Sequence, residues 1–206
     1  MAAMTAGTKR FTVGNRLVTL SARTISSAFR TARRHAVLQE VSRELGEQCE
    51  IGLVRNNRVV YVDSVRVSTV HGLQFDPGTD APIHCTSTGK IYLSLLALQA
   101  REKLVNSLEL TPFTPNTITD PTSFMKVLEQ TRKQGWATSN EEYVRGVVGC
   151  AVPIMTPEND LIACLGVSVP TARVTYDEVS AFIPHLLAAA KTLSETILGD
   201  EDLVSS

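Results

Sequence analysis

The residues with the most chemical potential lie at 85–90, CTSTGK, where small hydroxyl residues meet a lysine. Ser87 and Lys90 have the S-x-x-K spacing in which a lysine activates a serine nucleophile. That pattern fixes only two positions, and the companion S-D-N and K-T-G motifs of the serine penicillin-recognising enzymes are absent from the chain. A phosphate loop needs a glycine five residues before Gly89 and a Ser or Thr after the lysine. His84 and Ile91 stand at those positions instead. What survives is geometric. A strand that ends in small hydroxyl residues and enters a helix presents free backbone N–H groups and the positive end of a helix dipole, which suits a carboxylate or another anion. Simple capping of the helix by Ser87 or Thr88 is the purely structural reading of the same residues.

No other spacing assembles a catalytic or metal-binding set. His35, His71, His84 and His185 are scattered, with no i, i+4 pair. Glu141 and Glu142 are adjacent, so on an extended strand they point to opposite faces. Cys49, Cys85, Cys150 and Cys164 form no CxxC pair, which argues against both a zinc site and a disulfide framework. They read as small reduced residues in or near the core. The expectation is therefore a protein with no cofactor and no metal, and not an enzyme.

The elements that must position CTSTGK follow from periodicity and punctuation. Apolar residues from Leu17 to Ala32 recur at three- and four-residue spacings, which predicts an amphipathic helix over about 15–34. A second helix follows, with Ala36, Val37, Leu38, Val41 and Leu45 on one face and Gly46 as its stop. CEIGLVR and RVVYVDSVRV are β-rich and are separated by Asn56-Asn57, a hairpin signal. A looser strand, STVHGLQF, and the turn DPGTD lead to CTSTGK, after which Ile91, Leu93, Leu95, Leu96 and Leu98 predict a buried helix. Asp120-Pro121 starts another helix, which Gly135 ends. GWATSNEEY, VVGCAVPIM and LIACLGVSV predict strands, the last two as a hairpin around TPEND. A final helix is expected from a Thr175 cap, with Pro184 as a kink near its middle. Hairpins rather than βαβ units indicate an α+β fold with an antiparallel sheet.

Composition is that of an ordinary globular chain of 206 residues, 43% hydrophobic and 20% charged. No apolar run approaches the roughly 18 residues that span a bilayer, and MAAMTAGTKR lacks an apolar signal core, so no membrane partner and a cytoplasmic location are expected. Charge is uneven: residues 1–39 carry seven basic residues and no acid, and the remainder carries 13 basic against 21 acidic, a net of −8. A basic front end on an acidic body suits an anionic partner near the N-terminus, or a solvated helix face paired with that body.

Three segments, APIHCTSTGKIYLSLL, RKQGWATSNEEYVRGVVGCAVPI and LGVSVPTARVT, resemble in order and spacing the effector-binding domain of IclR-type bacterial transcriptional regulators. The agreement runs from about Phe11 to about Leu198. The resemblance implies a GAF-like α+β fold, an antiparallel sheet of about six strands flanked by helices, with an N-terminal linker helix. It implies a small organic acid effector, assembly as a homo-dimer or tetramer, and DNA contact only through an N-terminal winged helix-turn-helix. Only the tail of that winged domain fits ahead of the linker, so the expected division is 1–33 as a remnant of the DNA-binding domain with the linker helix, and 34–206 as the effector-binding domain. The chain is then either a piece cut from a longer regulator or a naturally shortened relative.

Carried over position by position, the resemblance places Val70, Leu73, Ser87, Thr88, Gly89, Ser139, Val147, Gly149, Gly166 and Ser168 around the effector, with Ser87 to Gly89 offering backbone amides to its acid group. Lys90 is expected to face solvent or pair with an acid. Where the family commonly has an acid this chain has Ser139, and it has Gly149 in place of a cysteine and Gly166 in place of a frequent serine. Those departures predict a roomier, less acidic cleft, suited to an aromatic acid. Glycine within a strand marks close approach by a ligand or a neighbouring backbone. A Ser87/Lys90 hydrolase and a ligand-free oligomerisation module, its glycines serving only backbone packing, are the alternatives.

Overall fold

Asn56 and Asn57 both adopt positive φ, 49° and 59°. That is the geometry of the tight turn whose twist matches the strands it joins, and it closes β3 (Gln48–Arg55) onto β4 (Arg58–Val65). In this computed structural model the described residues are 32–66 and 75–198, with the paired strands β1 (Ala2–Met4) and β2 (Phe11–Val13). The helix expected over 15–34, except its last residues, and most of STVHGLQF lie outside the described residues.

Helix α1 covers residues 32–45 and ends at Gly46, whose φ of +70° stops it as the sequence indicates. After β4 come β5 (Asp80–Pro82), a 3-10 turn (Ile83–Cys85), α2 (Ser87–Leu95) and α3 (Leu98–Ser107). The expected single helix through Leu98 is thus two. Leu96 turns extended, and the last carbonyls of α2 are met by arginines: Ser94 O accepts from Arg101 at 3.1 Å and from Arg132 at 2.8 Å. Helix α4 (Pro121–Gln134) starts where Asp120 accepts from Ser123 N at 2.7 Å and ends at Gly135, φ +80°.

Strands β6 (Ala137–Asn140), β7 (Val147–Met155) and β8 (Leu161–Pro170) complete a six-stranded antiparallel sheet in the order β5-β4-β3-β8-β7-β6. The chain ends its described part with a 3-10 turn (Val179–Phe182) and α5 (Ile183–Leu198). The turn moves the helix start to Ile183, so Pro184 sits in the first turn and does not kink a mid-point. There its missing N–H forfeits no helical bond. Thr175 anchors the preceding turn, donating from N and Oγ1 to the Glu178 carboxylate at 2.9 and 2.7 Å, and does not cap α5.

Both faces of the central strands are buried, for period-two reasons. One face packs Cys49, Ile51, Val148, Val152, Leu165 and Val167 against Leu38 and Val41 of α1 and Leu186 and Leu193 of α5. The opposite face carries α2, backed by α3 and α4 through Leu93, Val105, Phe124 and Leu128. All four cysteines are free and buried, and burial raises each thiol, Cys85 and Cys150 to about 12.

Candidate functional site

The start of α2 is built by Thr86, an extended residue whose hydroxyl donates to Pro82 O at 3.3 Å and accepts from Gly89 N at 3.2 Å. Thr86 is therefore the cap, one residue before the two the sequence offered. The amide of Gly89 is consumed by that cap, which corrects its assignment as a donor to a ligand. The N–H groups of Ser87 and Thr88, in the first turn, have no carbonyl within the helix to accept them. Gly89 serves packing instead: a Cβ there would lie 1.9 Å from Ile83 O.

Facing this helix start is one side of the sheet. Gln48, Ser168, Gly149 and Ser139 are successive cross-strand neighbours, and Glu50, Gly166, Ala151 and Ala137 form the next row. A narrow cleft opens between helix and sheet, with a cavity volume of about 30 Å³. Of the sequence-derived residues, Ser87, Thr88, Ser139, Val147 and Ser168 line it. Val70 and Leu73 lie outside the described residues. Gly149 and Gly166 lie beneath its floor: a Cβ at 149 would meet Val167 O at 2.8 Å, and one at 166 would meet Glu50 Oε1 at 3.1 Å. The room those glycines leave is taken by backbone and by a glutamate, not by open space.

That glutamate also corrects the expectation of a less acidic cleft. Glu50 lines it at 4% exposure; its Oε1 accepts from Ser168 Oγ at 2.7 Å, and among the described residues its Oε2 has no partner. Burial pushes its pKa up to about 8, against the lowering effect of the Ser168 hydrogen bond. At neutral pH the carboxyl is mostly in its uncharged form.

A second acid, Glu142, lines the same cleft but is neutralised. Lys90 is buried and donates to Glu142 Oε1 at 2.5 Å and to Thr138 O at 2.9 Å, so it pairs with an acid and does not face solvent. Asn140 N also donates to Oε1, at 3.2 Å, while Oε2 has no partner among the described residues. Glu141, in a positive-φ turn (53°), accepts from Gly146 N instead, so the adjacent acids do diverge. With the ammonium held by Glu142 and Thr138, the S-x-x-K pair lacks the free amine a nucleophile's base requires.

Aromatic rings wall the cleft: Tyr61 and Phe75 have centroids 4.9 Å apart, and Tyr143 stands edge-on to Phe113 at 5.2 Å. His84 is tied outside it, its Nε2 donating to Thr111 O at 3.0 Å, with burial lowering its pKa. Glu50, Tyr61, Phe75, Glu142 and Tyr143 are among the lining residues that sequence reasoning missed. The available signal was CEIGL itself, in which period two sets Glu50 between Gln48 and Gly52 on the face opposite Cys49 and Ile51. Among the described residues no three His, Cys, Asp or Glu side chains gather as a metal site, and no helix is long and apolar enough to cross a membrane.

Comparison with known proteins places these observations. The family described as bacterial transcriptional regulator IclR C-terminal matches residues 22–195. The probable transcriptional regulator SauR of Cupriavidus necator is 33% identical over 192 residues, which cover 93% of this chain and 76% of that protein. Among solved structures, a transcriptional regulator from Rhodococcus shares the fold with a TM-score of 0.78 at 23% identity, covering 92% of this chain and 78% of that one. A double mutant of the inducer-binding domain of the PobR transcription factor from Acinetobacter, in complex with 3-hydroxybenzoic acid, superposes with a TM-score of 0.73 at 27% identity, covering 78% of this chain and 94% of that one.

Proposed function

Since the chain belongs to the IclR family of bacterial transcriptional regulators, matching its C-terminal domain over residues 22–195, we propose that the cleft between α2 and the sheet is the effector site of a metabolite-sensing regulator. The observation that carries this reading is the convergence of first-turn N–H groups, the hydroxyls of Ser139 and Ser168 and unpartnered carboxylate oxygens in one aromatic-walled cleft. The effector is a small organic acid. Its carboxylate accepts from Ser87 and Thr88 N–H, with Val147 and the Tyr61–Phe75 wall against its body. The same wall favours an aromatic acid, as does the 3-hydroxybenzoic acid held by the double mutant of the Acinetobacter domain.

The functional consequence is a population shift. An acid bound between α2 and the sheet favours one packing of the sheet, the linker helix and a partner subunit in a homo-oligomer. That packing resets the spacing of winged helix-turn-helix heads on DNA. Residues 1–33 are then linker and the edge of the DNA-binding part, and 34–206 the sensing domain.

Thermal unfolding with a panel of aliphatic keto acids, benzoate and hydroxybenzoates at millimolar concentration tests the site. An acid present at a hundred times its Kd stabilises by about 2.7 kcal/mol, which for a chain of this size raises Tm by roughly 5–10 °C. A panel in which no acid raises Tm defeats the sensor reading.

A further inference from the structure

Resting on the effector reading above, one group in the cleft narrows the chemistry of the ligand. Glu50 lies on β3, near the middle of the sheet, at 4% exposure. Its carboxyl is fixed on one side only: Ser168 Oγ donates to Oε1 at 2.7 Å, and Gly166, directly across the ladder, leaves the space the carboxyl fills. The other oxygen, Oε2, has no partner among the described residues, and no lysine or arginine forms an ion pair with Glu50 there. Glu142, on the same cleft, shows the contrast, since Lys90 neutralises it.

A buried carboxyl oxygen left without a hydrogen-bond partner is unfavourable, so natural structures rarely keep one. Here it is kept on the wall of an open cleft. The helix end of that cleft supplies donors for an anion, whereas the sheet wall supplies two unpartnered carboxyl oxygens, Glu50 Oε2 and Glu142 Oε2. A ligand that completes both ends has a carboxylate at one end and an O–H or N–H at the other. A methyl or a fluorine, which neither donates nor accepts strongly, leaves Oε2 as unsatisfied as before, whereas a hydroxyl can donate to an ionised Oε2 or accept from a protonated one.

We propose that Glu50 is the specificity-determining residue of the cleft, selecting acids that carry a hydroxyl or amino group, which hydrogen-bonds its Oε2. Such a residue discriminates by penalty as well as attraction, because the analogue lacking the hydroxyl or amino group strands a buried oxygen.

Isothermal titration of the full chain with matched probes reads this directly. Hydroxybenzoates and aminobenzoates are each compared with the fluorobenzoate of the same substitution pattern, similar in shape and without the donor, and 4-hydroxybutyrate is compared with butyrate. The expected result is that at least one hydroxyl or amino acid binds about tenfold or more tighter than its counterpart. Glu50→Leu should collapse that ratio to within about twofold, with the counterpart's own affinity rising as the stranded oxygen is removed, as the penalty account requires. Glu50→Gln, close in shape and still able to accept, keeps part of the ratio and guards against a leucine variant that misfolds. Counterparts that bind as tightly as the donor-bearing acids, or a ratio unchanged in Glu50→Leu, overturn the role of Glu50 and leave the effector reading standing. No binding by any acid overturns both.

Discussion

Gly89→Ala sets local propensity against tertiary packing, and the two predict opposite signs. Helix propensity alone favours alanine over glycine by up to about 1 kcal/mol. In the folded chain, however, a Cβ at 89 would stand 1.9 Å from Ile83 O and 2.7 Å from its carbonyl carbon. Neither is the tip of a movable side chain, so the 3-10 turn of Ile83–Cys85 and the first turn of α2 would have to separate. Overpacking of this kind costs about 1–3 kcal/mol or more. With the propensity gain deducted, the net loss should be about 2 kcal/mol, or roughly 4–8 °C in Tm for a chain of this size. Two further glycines calibrate the argument. At Gly149 the obstacle is Val167 O at 2.8 Å, again backbone, whereas at Gly166 it is the Glu50 carboxyl at 3.1 Å, which can swing aside. Urea unfolding of the three alanine variants should therefore rank them 89, 149, 166 from most to least destabilised. A Gly89→Ala variant as stable as the parent would refute the packing argument, as would a ranking with 166 the worst.

Two more perturbations probe the buried charges. Lys90→Met leaves Glu142 with no cation at 6% side-chain exposure, which should cost about 3–5 kcal/mol in urea unfolding. Lys90→Met with Glu142→Gln should recover most of that loss, and a single variant costing under about 1 kcal/mol would show that the pair is not buried in solution. Glu50 makes stability depend on pH in the direction opposite to a salt-bridged acid. Its folded pKa stands at about 8 against an ordinary 4.5, so between those values the folded chain holds a proton that the unfolded chain has released. Its contribution therefore declines as pH rises from about 5 to 8. Urea midpoints across that range should fall less steeply in Glu50→Gln than in the parent, and parallel profiles would contradict the assignment.

The punctuation of the fold was readable in the residues because its causes are local. Asn56-Asn57 at positive φ, Asp120 capping a helix that begins with Pro121, and the glycines at 46 and 135 each act within a few residues of themselves. The break at Leu96 was not readable. Nothing between Ile91 and Leu98 ends a helix; the carbonyls there are instead taken up by Arg101 from the next helix and Arg132 from α4. Pro184 misled for a related reason, since its meaning depended on where the preceding 3-10 turn ended.

The candidate site divides along the same line. Residue types by themselves offered only a hydroxyl-rich entry to α2 and alternating strand faces, which are properties of short segments; the resemblance to IclR-type effector-binding domains is what brought together Ser87, Thr88, Ser139, Val147 and Ser168, the five of its positions that line the cleft. Only the assembled sheet decided what the glycines are for. Gly89, Gly149 and Gly166 make way for Ile83, Val167 and Glu50, partners 6, 18 and 116 positions away in the chain, and a sequence carries no direct mark of such approaches. The acid of the cleft was decided in the same way: burial and a single hydrogen bond from Ser168, 118 residues distant, make Glu50 a held and unfinished acceptor, and neither can be felt by a residue until the strands have met.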